Sequence, residues 1–454
     1  MKKDRREFLK LASAGALAFG LQPITNALTA SQAQAAASEN FWENLRNKYF
    51  SLSTDYIYMN NSTFGASLNQ VVLYAQEVQH MFAQGCSLTR FLNSVIFRLP
   101  GIYTRMARII NGHDQAGGKY IGIVDSVTEG MSLVANGLNI NSNDVILTTD
   151  HEHTGGLTCW QLQQERKGAR VVEIPLVQGG YGQADWQNTL LARFEAALAS
   201  RRVKAVSFSY TTTSTGHVLP AGELCALARR YGAISVIDAA QAFAIVPLDM
   251  QALDCDFMVM NGHKYLNGPI GSGFICVNPR MVNSLDSFWG TVVDDNVFYP
   301  ESLARNRPYR QGGVQAYASV LPLSEALAFY ADELGPQLVY DRLCAIGRWL
   351  RTGLSRYGST FEILTPLAEG QSAVTTCFRI NGMSSESAVD TLSSRYSIEV
   401  KHAEEGGADA IRLAPHYYNT GAEFMSLAMA ICNMAGVSLE PWLEDNPLDG
   451  LPPR

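Results

Sequence analysis

Cysteine pairs and basic runs are the features that this sequence most clearly lacks. Its eight cysteines are scattered, with no CxxC pair or dense cluster, and several fall within apolar segments where cysteine behaves as a small buried hydrophobe. This distribution neither indicates nor excludes a disulfide. No basic run follows the first ten residues and the formal net charge is −7, so nothing indicates a nucleic-acid or anionic-membrane partner. A small-molecule substrate fits this charge balance better.

A long apolar run is also missing near the N-terminus. The apolar stretch at residues 11–21 is far shorter than the roughly 20 residues that span a bilayer, which argues against a membrane anchor. It follows DRREFLK at residues 4–10, which matches the twin-arginine export pattern except that Asp4 replaces the usual Ser or Thr, and small residues at 33–35 suit cleavage. We therefore predict a twin-arginine signal peptide at residues 1–37, the export machinery as a partner, and a periplasmic mature protein without stable membrane insertion. The alternative is a cytoplasmic enzyme whose basic start arose by chance.

The rest of the chain is long enough for a large and a small domain, and 47% of the residues are hydrophobic. Apolar runs rich in Val, Ile, Met and Phe alternate with helical patterns, which is typical of a parallel sheet covered by helices on both faces. The predicted strands of this sheet are residues 120–124, 145–149, 169–176, 203–209, 235–237 and 257–260.

A smaller α/β unit is predicted toward the C-terminus, after two helical patterns. Its short strands are expected at residues 374–380, 398–401 and 411–415. The predicted division of the chain is a signal peptide at 1–37, an N-terminal segment joining the small domain at 38–110, a large domain at 111–315, connector helices with the small domain at 316–446, and a tail at 447–454.

Two strands of the large domain end near charged residues that do not belong in a core. Asp238 follows the strand at 235–237, and Lys264 follows the strand at 257–260 after a short turn. In a parallel sheet both would lie in the crevice beyond the carboxyl ends of the strands. A lysine in apolar surroundings can form a Schiff base, and a buried carboxylate can keep the ring nitrogen of pyridoxal phosphate protonated. We therefore predict a pyridoxal phosphate site; the alternative is a structural Asp238 and a solvated Lys264.

A turn after the strand at 120–124 is a candidate anion site. DSVT at residues 125–128 precedes a helical pattern, and a helix N-terminus points backbone N–H groups and its dipole at an anion. Ser126 and Thr128 can add hydroxyl donors there. The alternative is that one of these two hydroxyls only caps the helix.

Four motifs surround the two charged residues. They are DAAQ at 238–241, QALDCDF at 251–257, GHK at 262–264 and GSGF at 271–274. Together they resemble the class V aminotransferase family of fold-type I pyridoxal phosphate enzymes, which includes cysteine desulfurases and isopenicillin N epimerase. The resemblance extends over nearly the whole mature chain. It implies an α/β fold with a mostly parallel seven-stranded sheet covered by helices, a smaller α/β C-terminal domain, and a homodimer.

The resemblance also implies roles for residues around the cofactor. Lys264 forms the Schiff base, Asp238 pairs with the ring nitrogen, and Gln241 bonds the ring hydroxyl. The ring is stacked by His153, and His263 reaches the phosphate. The full set of implied cofactor-binding residues is Val127, Thr128, His153, Thr213, Asp238, Gln241, Asn261, His263 and Lys264.

Thr213 departs from the family pattern, and the histidine pair at 151 and 153 has a second interpretation. The family usually has Asn three residues before Gly216, where Thr213 stands here, so an amide donor to the ring hydroxyl is missing. The HxH pair of His151 and His153 can ligate a metal in principle, but no further ligand with convincing spacing lies nearby, and we predict no metal.

The residues expected to bind the substrate come from the N-terminal segment and from the C-terminal small domain. Arg412 matches the family arginine that clamps the substrate α-carboxylate, for which a guanidinium offers a bidentate fork. The alternative for Arg412 is a surface salt bridge. Asn61, with Asn60, is expected near the substrate mouth, or only in a polar turn closed by Gly65.

A further mouth segment is expected before the connector helices. It contains the three arginines Arg305, Arg307 and Arg310, and its nearest match to the family's Gly-Thr is Gly313-Val314. A phosphate contact from a partner subunit is therefore left open.

The predicted reaction is that of an aminotransferase-like enzyme acting at the amino group and Cα of an amino acid or a peptide-derived metabolite. Cysteine desulfurases carry a nucleophilic cysteine on the loop before the clamp arginine, but residues 401–410 contain no thiol, so desulfuration by that route is not expected. The alternatives are an epimerase or racemase, a lyase or decarboxylating enzyme, and a non-catalytic binding protein, because the sequence does not show how the substrate is oriented.

Overall fold

The computed structural model describes residues 38–177, 181, 185–286 and 315–446. The predicted signal peptide, the arginines Arg305, Arg307 and Arg310 with Gly313-Val314, and the predicted tail lie outside these residues. No helix in the described ranges is long and apolar enough to cross a membrane. All eight cysteines are described, and each is free.

The strands and helices of the described residues are numbered in chain order. The strands are β1 (Ile57–Tyr58), β2 (Ile121–Val124), β3 (Val145–Thr149), β4 (Arg170–Ile174), β5 (Val203–Ser209), β6 (Ile234–Asp238), β7 (Phe257–Asn261), β8 (Gly273–Val277), β9 (Phe361–Ile363), β10 (Thr376–Ile380), β11 (Ile398–Glu399), β12 (Lys401–Ala403) and β13 (Ala410–Leu413). The helices are α1 (Glu39–Tyr49), α2 (Asn69–Ala83), α3 (Leu88–Phe91), α4 (Leu99–Ile109), α5 (Val127–Gly137), α6 (Thr154–Lys167), α7 (Trp186–Ser200), α8 (Ala221–Arg230), α9 (Met250–Leu253), α10 (Tyr317–Val320), α11 (Leu323–Ala328), α12 (Pro336–Ser355), α13 (Ser385–Tyr396), α14 (Gly421–Ala435) and α15 (Glu440–Leu443).

The large sheet has seven strands in the order β2-β8-β7-β6-β5-β3-β4. The pairs from β7 to β4 are parallel, and β8 runs antiparallel to both of its neighbours, β2 and β7. The prediction of a mostly parallel seven-stranded sheet is therefore confirmed. The antiparallel β8 follows β7 through a short loop, whereas the parallel strands need helical crossovers.

Helices cover both faces of this sheet, which is why its central strands are mostly apolar and buried, whereas the edge strand β4 carries Arg170 and Glu173. Ile146 and Val236 pack in one core cluster with residues of α5 and α6, whereas their next neighbours in the chain, Leu147 and Ile237, pack in the other cluster with residues of α4, α7 and α8. Side chains alternate between the faces of a strand, so a strand covered on both sides is a continuous apolar run. This explains why the sequence pattern located six of the seven strands; the antiparallel β8 was not predicted.

The C-terminal part contains a four-stranded antiparallel sheet in the order β12-β13-β10-β9, and β11 pairs separately with β1 from the N-terminal segment. The predicted strand at 398–401 is in fact two strands, because β11 pairs with β1 whereas β12 pairs with β13. The sequence did not predict β9. Such short pairings depend on partners far away in the chain, which local patterning does not show.

The N-terminal segment lies along the loop that carries Lys264. The N–H of Gly65 donates to His263 O at 2.8 Å, and the N–H of Leu68 donates to Asn267 O at 3.2 Å. A Cβ on Gly65 would overlap the carbonyl oxygen of Lys264. Glycine at position 65 is therefore needed for close backbone approach, and it fixes the position of the lysine loop.

We predict that Gly65→Ala lowers the free energy of unfolding by about 1–3 kcal/mol, because the new methyl group meets backbone atoms that cannot rotate away. Urea or thermal denaturation of the purified protein measures the change. Gly222→Ala is the matched control, since a Cβ there meets nothing within 4 Å in the first turn of α8. An equal and small effect of both substitutions would contradict the close approach.

Candidate active site

Asp238 and Lys264 lie at the same edge of the large sheet. Asp238 is the last residue of β6, and β7, its parallel neighbour, ends at Asn261 three residues before Lys264. Only 4% of Asp238 and 9% of Lys264 is exposed. The structure therefore brings both predicted residues to the carboxyl ends of adjacent strands, out of contact with bulk water.

Burial shifts the pKa of both groups toward the neutral form. Desolvation lowers the pKa of Lys264 to about 8, and the nearby Asp238 carboxylate only partly opposes this. Desolvation raises the pKa of Asp238, while a hydrogen bond from the N–H of Ala240 at 2.8 Å and the charge of Lys264 act in the opposite direction. A lysine with this pKa has a substantial neutral fraction near neutral pH, which is the nucleophilic form.

Two glycines at the start of α6 keep the space beside these groups open. A Cβ on Gly156 would lie 2.6 Å from Asp238 Oδ2, and a Cβ on Gly155 would lie 2.7 Å from Thr128 Oγ1 and 3.1 Å from His153 Nδ1. The first turn of α6 thus brings Asp238, Thr128 and His153 into one cradle. These three residues were predicted from the sequence, whereas the two glycines were not.

Two amide side chains in the site have buried polar atoms without partners. Gln241 donates from Nε2 to Ser62 O at 3.0 Å, but its Oε1 has no partner. Asn61 accepts from the hydroxyl of Tyr418 at 2.9 Å, but its Nδ2 has no partner. Unpaired buried polar atoms are costly in a folded protein, so they indicate the place of a polar ligand.

The two histidines predicted at the cofactor are held as neutral rings. His153 caps α6, and its Nδ1 accepts from the N–H of Gly155 at 3.0 Å, which places the ring proton on Nε2. His263 donates from Nδ1 to the carbonyl of Ser272 at 2.9 Å. Burial is the main cause that lowers the pKa of each ring, and the charge of Lys264 adds to it.

The predicted anion turn is tied to the end of β7. The N–H of Val127 donates to Asn261 Oδ1 at 2.9 Å, so this amide already has a partner. The hydroxyl of Ser126 caps α5 by accepting from the N–H of Glu129 at 3.3 Å, which is the capping interpretation of that residue. Thr128 remains beside the α6 cradle described above. Asn261 therefore joins the lysine strand to the helix N-terminus expected to face the phosphate.

Arg412 is buried on β13 without a carboxylate partner among the described residues. Its Nη2 donates to Asn60 Oδ1 at 2.7 Å and to Thr63 Oγ1 at 3.0 Å, and its Nη1 lies 3.4 Å from Thr213 O. Its Nε has no partner. The alternative of a surface salt bridge does not describe this residue, which is 1% exposed. A buried guanidinium held only by neutral oxygens can receive an anion.

The structure also shows a buried acid, Glu152, to which no separate role was assigned from the sequence. Glu152 accepts from the hydroxyls of Thr149 and Ser209, each at 2.6 Å. Burial raises the pKa of Glu152 to about 7, and the charge of Asp238 adds to the rise. The sequence did contain a signal for this residue, because Glu152 follows shortly after the end of the predicted strand at 145–149.

The HxH pair does not form a multidentate metal site. His151 Nδ1 lies 2.6 Å from Asp150 Oδ1, and His153 instead caps α6. Within the described ranges, no group of three or more His, Cys, Asp and Glu side chains is arranged to hold a metal ion.

A comparison with protein-family models matches residues 68–432 to "Aminotransferase class-V". The chain belongs to the aminotransferase class-V family. The buried lysine and carboxylate, the glycine cradle and the unpaired amide atoms fit pyridoxal phosphate, which the sequence analysis predicted as the cofactor. Asp238 would hold the ring nitrogen, Gln241 the ring hydroxyl, and Thr128 with His263 the phosphate.

Two kinds of curated relative in this family are similar to the chain. Isopenicillin N epimerase of Amycolatopsis lactamdurans is 29% identical over 350 residues, which cover 73% of this chain and 84% of the relative. Cysteine desulfurase of Salmonella newport (strain SL254) is 36% identical over 170 residues, which cover 37% of this chain and 40% of the relative. The similarity to the epimerase is therefore weaker per residue but extends over about twice the length.

Solved structures confirm the fold-type I architecture. The apo cysteine desulfurase from Thermococcus onnurineus NA1 superposes with a TM-score of 0.73 at 19% identity, covering 87% of this chain and 98% of its own. A C-DES mutant with glycine covalently linked to its PLP cofactor gives a TM-score of 0.72 at 22% identity, covering 85% of this chain and 97% of its own. At these identities the likeness concerns the fold alone.

We predict that the apoprotein of this class V chain captures pyridoxal phosphate faster as the pH rises, with a midpoint near pH 8, because the neutral amine of Lys264 is the attacking form. Stopped-flow absorbance, with borohydride trapping of the product, measures the rate against pH. Lys264→Ala should show no trapped adduct at any pH. A midpoint near the ordinary lysine pKa of 10.5 would contradict the effect of burial.

Proposed function

We propose that this chain is an exported, pyridoxal-phosphate-dependent aminotransferase-like enzyme that acts at the amino group and Cα of an amino acid or a peptide-derived metabolite. The observation that carries the proposal is a buried lysine and a buried carboxylate that act on each other electrostatically, with a buried arginine that has no carboxylate partner in the described residues. The pair suits an aldehyde cofactor, and the arginine suits the α-carboxylate of an amino acid.

Different residues of the chain hold the cofactor, orient the substrate carboxylate and move the proton at Cα. Pyridoxal phosphate, when bound, withdraws electrons from Cα of an amine attached to it. Asp238 holds the proton on the ring nitrogen, and Arg412 orients the substrate carboxylate. Lys264 holds the cofactor before substrate arrives and then moves the Cα proton, a task suited to a base whose pKa is about 8.

The export step and the oligomeric state are parts of the same proposal. The twin-arginine pattern at residues 4–10 supports transport to the periplasm of a chain that has already folded and taken up its cofactor. The family resemblance supports a homodimer.

The principal test compares the purified protein with Lys264→Ala. We expect the protein loaded with pyridoxal phosphate to show a visible absorption band that amino donors shift or reduce, and to release an oxo acid. Lys264→Ala should lose the borohydride-trapped covalent cofactor in mass spectrometry and at least about 100-fold of the turnover. Lys167→Ala, an exposed lysine at the end of α6, is the control. Unchanged turnover in Lys264→Ala would end the proposal.

An epimerase or racemase is the second candidate, and the extent of the similarity to isopenicillin N epimerase favours it. In that case solvent deuterium should enter Cα while the substrate keeps its nitrogen, as followed by NMR and mass spectrometry. In transamination the substrate would instead lose its nitrogen and be released as an oxo acid. Full retention of the Cα proton during turnover would exclude the epimerase.

Desulfuration through a cysteine nucleophile is disfavoured by where the thiols lie. The turn between β12 and β13 has no cysteine. Cys377, on β10 opposite Arg412, is fully buried, and desolvation raises the pKa of its thiol to about 12. A thiol in this state is a poor nucleophile at neutral pH.

A further inference from the structure

The turn between β12 and β13 places a carboxylate at the mouth of the candidate site. Glu405 begins a short 3-10 turn, Glu405–Gly407, and its Oε2 accepts a hydrogen bond from the hydroxyl of Ser214. Ser214 follows Thr213, whose carbonyl oxygen lies 3.4 Å from Nη1 of Arg412. Glu405 therefore contacts Ser214, and the preceding residue, Thr213, contacts the buried Arg412.

The same turn also reaches the strand end that leads to His153. A Cβ on Gly406 would overlap the ring of His151, and the φ of Gly406 is 68°, which favours glycine. Glycine at position 406 therefore lets the backbone of the turn pack against His151. The turn thus spans the ends of β3 and β5, which are paired neighbours in the large sheet. Because β3, β5, β6 and β7 are parallel, Glu405 reaches from the small sheet the same edge of the large sheet that carries Lys264.

Several contacts hold this turn without using the carboxylate of Glu405. His402 Nε2 lies 2.8 Å from Asp409 Oδ1 at the base of the turn. Arg379 donates from Nε to Ala408 O at 3.1 Å and to Asp409 O at 3.0 Å. These contacts, with Gly406 on His151, fix the backbone. The bond between Glu405 and Ser214 is therefore not the only contact that positions the turn.

The carboxylate of Glu405 is charged and interacts electrostatically with the reactive groups of the site. Burial opposes its ionisation, but hydrogen bonds from Ser214 and from its own backbone, with the charge of Lys401, lower its pKa, so it is an anion at neutral pH. It also acts electrostatically on Lys264 and Arg412. Among the described residues, no lysine or arginine forms an ion pair with it.

Two cations of the small sheet, Lys401 and Arg412, are neighbours on β12 and β13. Lys401 is directly opposite Arg412 in the register of β12 and β13, and side chains directly opposite in an antiparallel pair share one face. This side suits the α-carboxylate of a substrate. A substrate bound there would present the rest of its structure to a mouth in which Glu405 is a fixed anion.

We propose that Glu405 is a specificity-determining residue that accepts a hydrogen bond from a positively charged group, such as an amine or guanidinium, on the substrate beyond Cα. The proposal rests on the proposed function and names its substrate class, a cationic α-amino acid unit. Ser214 positions the carboxylate for this contact. Hydrogen bonds between charged groups are the stronger ones, and an unpaired acidic group on the substrate would be repelled.

The test uses four five-carbon amino acids that differ only at the end of the side chain. L-ornithine, L-norvaline, L-glutamine and L-glutamate are titrated into the cofactor-loaded protein, and apparent dissociation constants are read from the change in the cofactor absorption band. We expect L-ornithine to bind about tenfold more tightly than L-norvaline, and L-glutamate to bind most weakly. Glu405→Gln should bring the ornithine-to-norvaline ratio close to one.

Two further variants separate a contact from a general charge effect. Glu404→Gln removes the neighbouring carboxylate, whose side chain is 78% exposed, and should leave the ratio unchanged. Ser214→Ala keeps the charge of Glu405 but releases its position, and should reduce the ratio in part. Circular dichroism and denaturation of each variant show that the fold is kept.

The outcomes separate this inference from the proposed function. If no amino acid alters the absorption band and Lys264 carries no cofactor, the proposed function fails. If amino acids do alter the band but Glu405→Gln keeps the wild-type ratio, or changes it no more than Glu404→Gln does, the role of Glu405 is overturned. Equal binding of L-ornithine and L-norvaline by the wild-type protein would overturn it as well.

Discussion

The burial of one ammonium and one carboxylate at the same edge of the large sheet is the constraint on which the site depends. Neither Lys264 nor Asp238 is stable as an isolated charge in apolar surroundings, and burial shifts the pKa of each toward its neutral form. A cofactor that condenses with the amine and offers a protonated ring nitrogen to the carboxylate satisfies both groups at once. The glycines of α6 preserve the room that such a cofactor needs.

Glu152 shows how the protein limits further negative charge near this pair. It lies close enough to Asp238 for the two carboxyl groups to repel, and burial with this repulsion raises the pKa of Glu152 to about 7. At neutral pH a large fraction of Glu152 is therefore protonated, and the hydroxyls of Thr149 and Ser209 keep it hydrogen-bonded. Asp238 is then the principal anion available to the ring nitrogen.

The sequence predicted those features that follow from local patterns. Strands buried on both faces are continuous apolar runs, and a charged residue directly after such a run, as at Asp238, indicates a crevice. Features that depend on distant packing were not predictable in this way. They include the division of residues 398–401 into β11 and β12, the overlap that requires Gly65, and the unpaired amide atoms of Gln241 and Asn61.

The two sheets contribute different kinds of control to the site. The large sheet supplies Lys264 and Asp238 from strand ends that are fixed by hydrogen bonds along five parallel strands, so their geometry tolerates little change. The small sheet supplies Arg412 from a strand but Glu405 from a turn, and a turn can change its residues without disturbing the register on either side. Chemistry common to a family is therefore expected on the large sheet, whereas selection among substrates is expected on the turns of the small one.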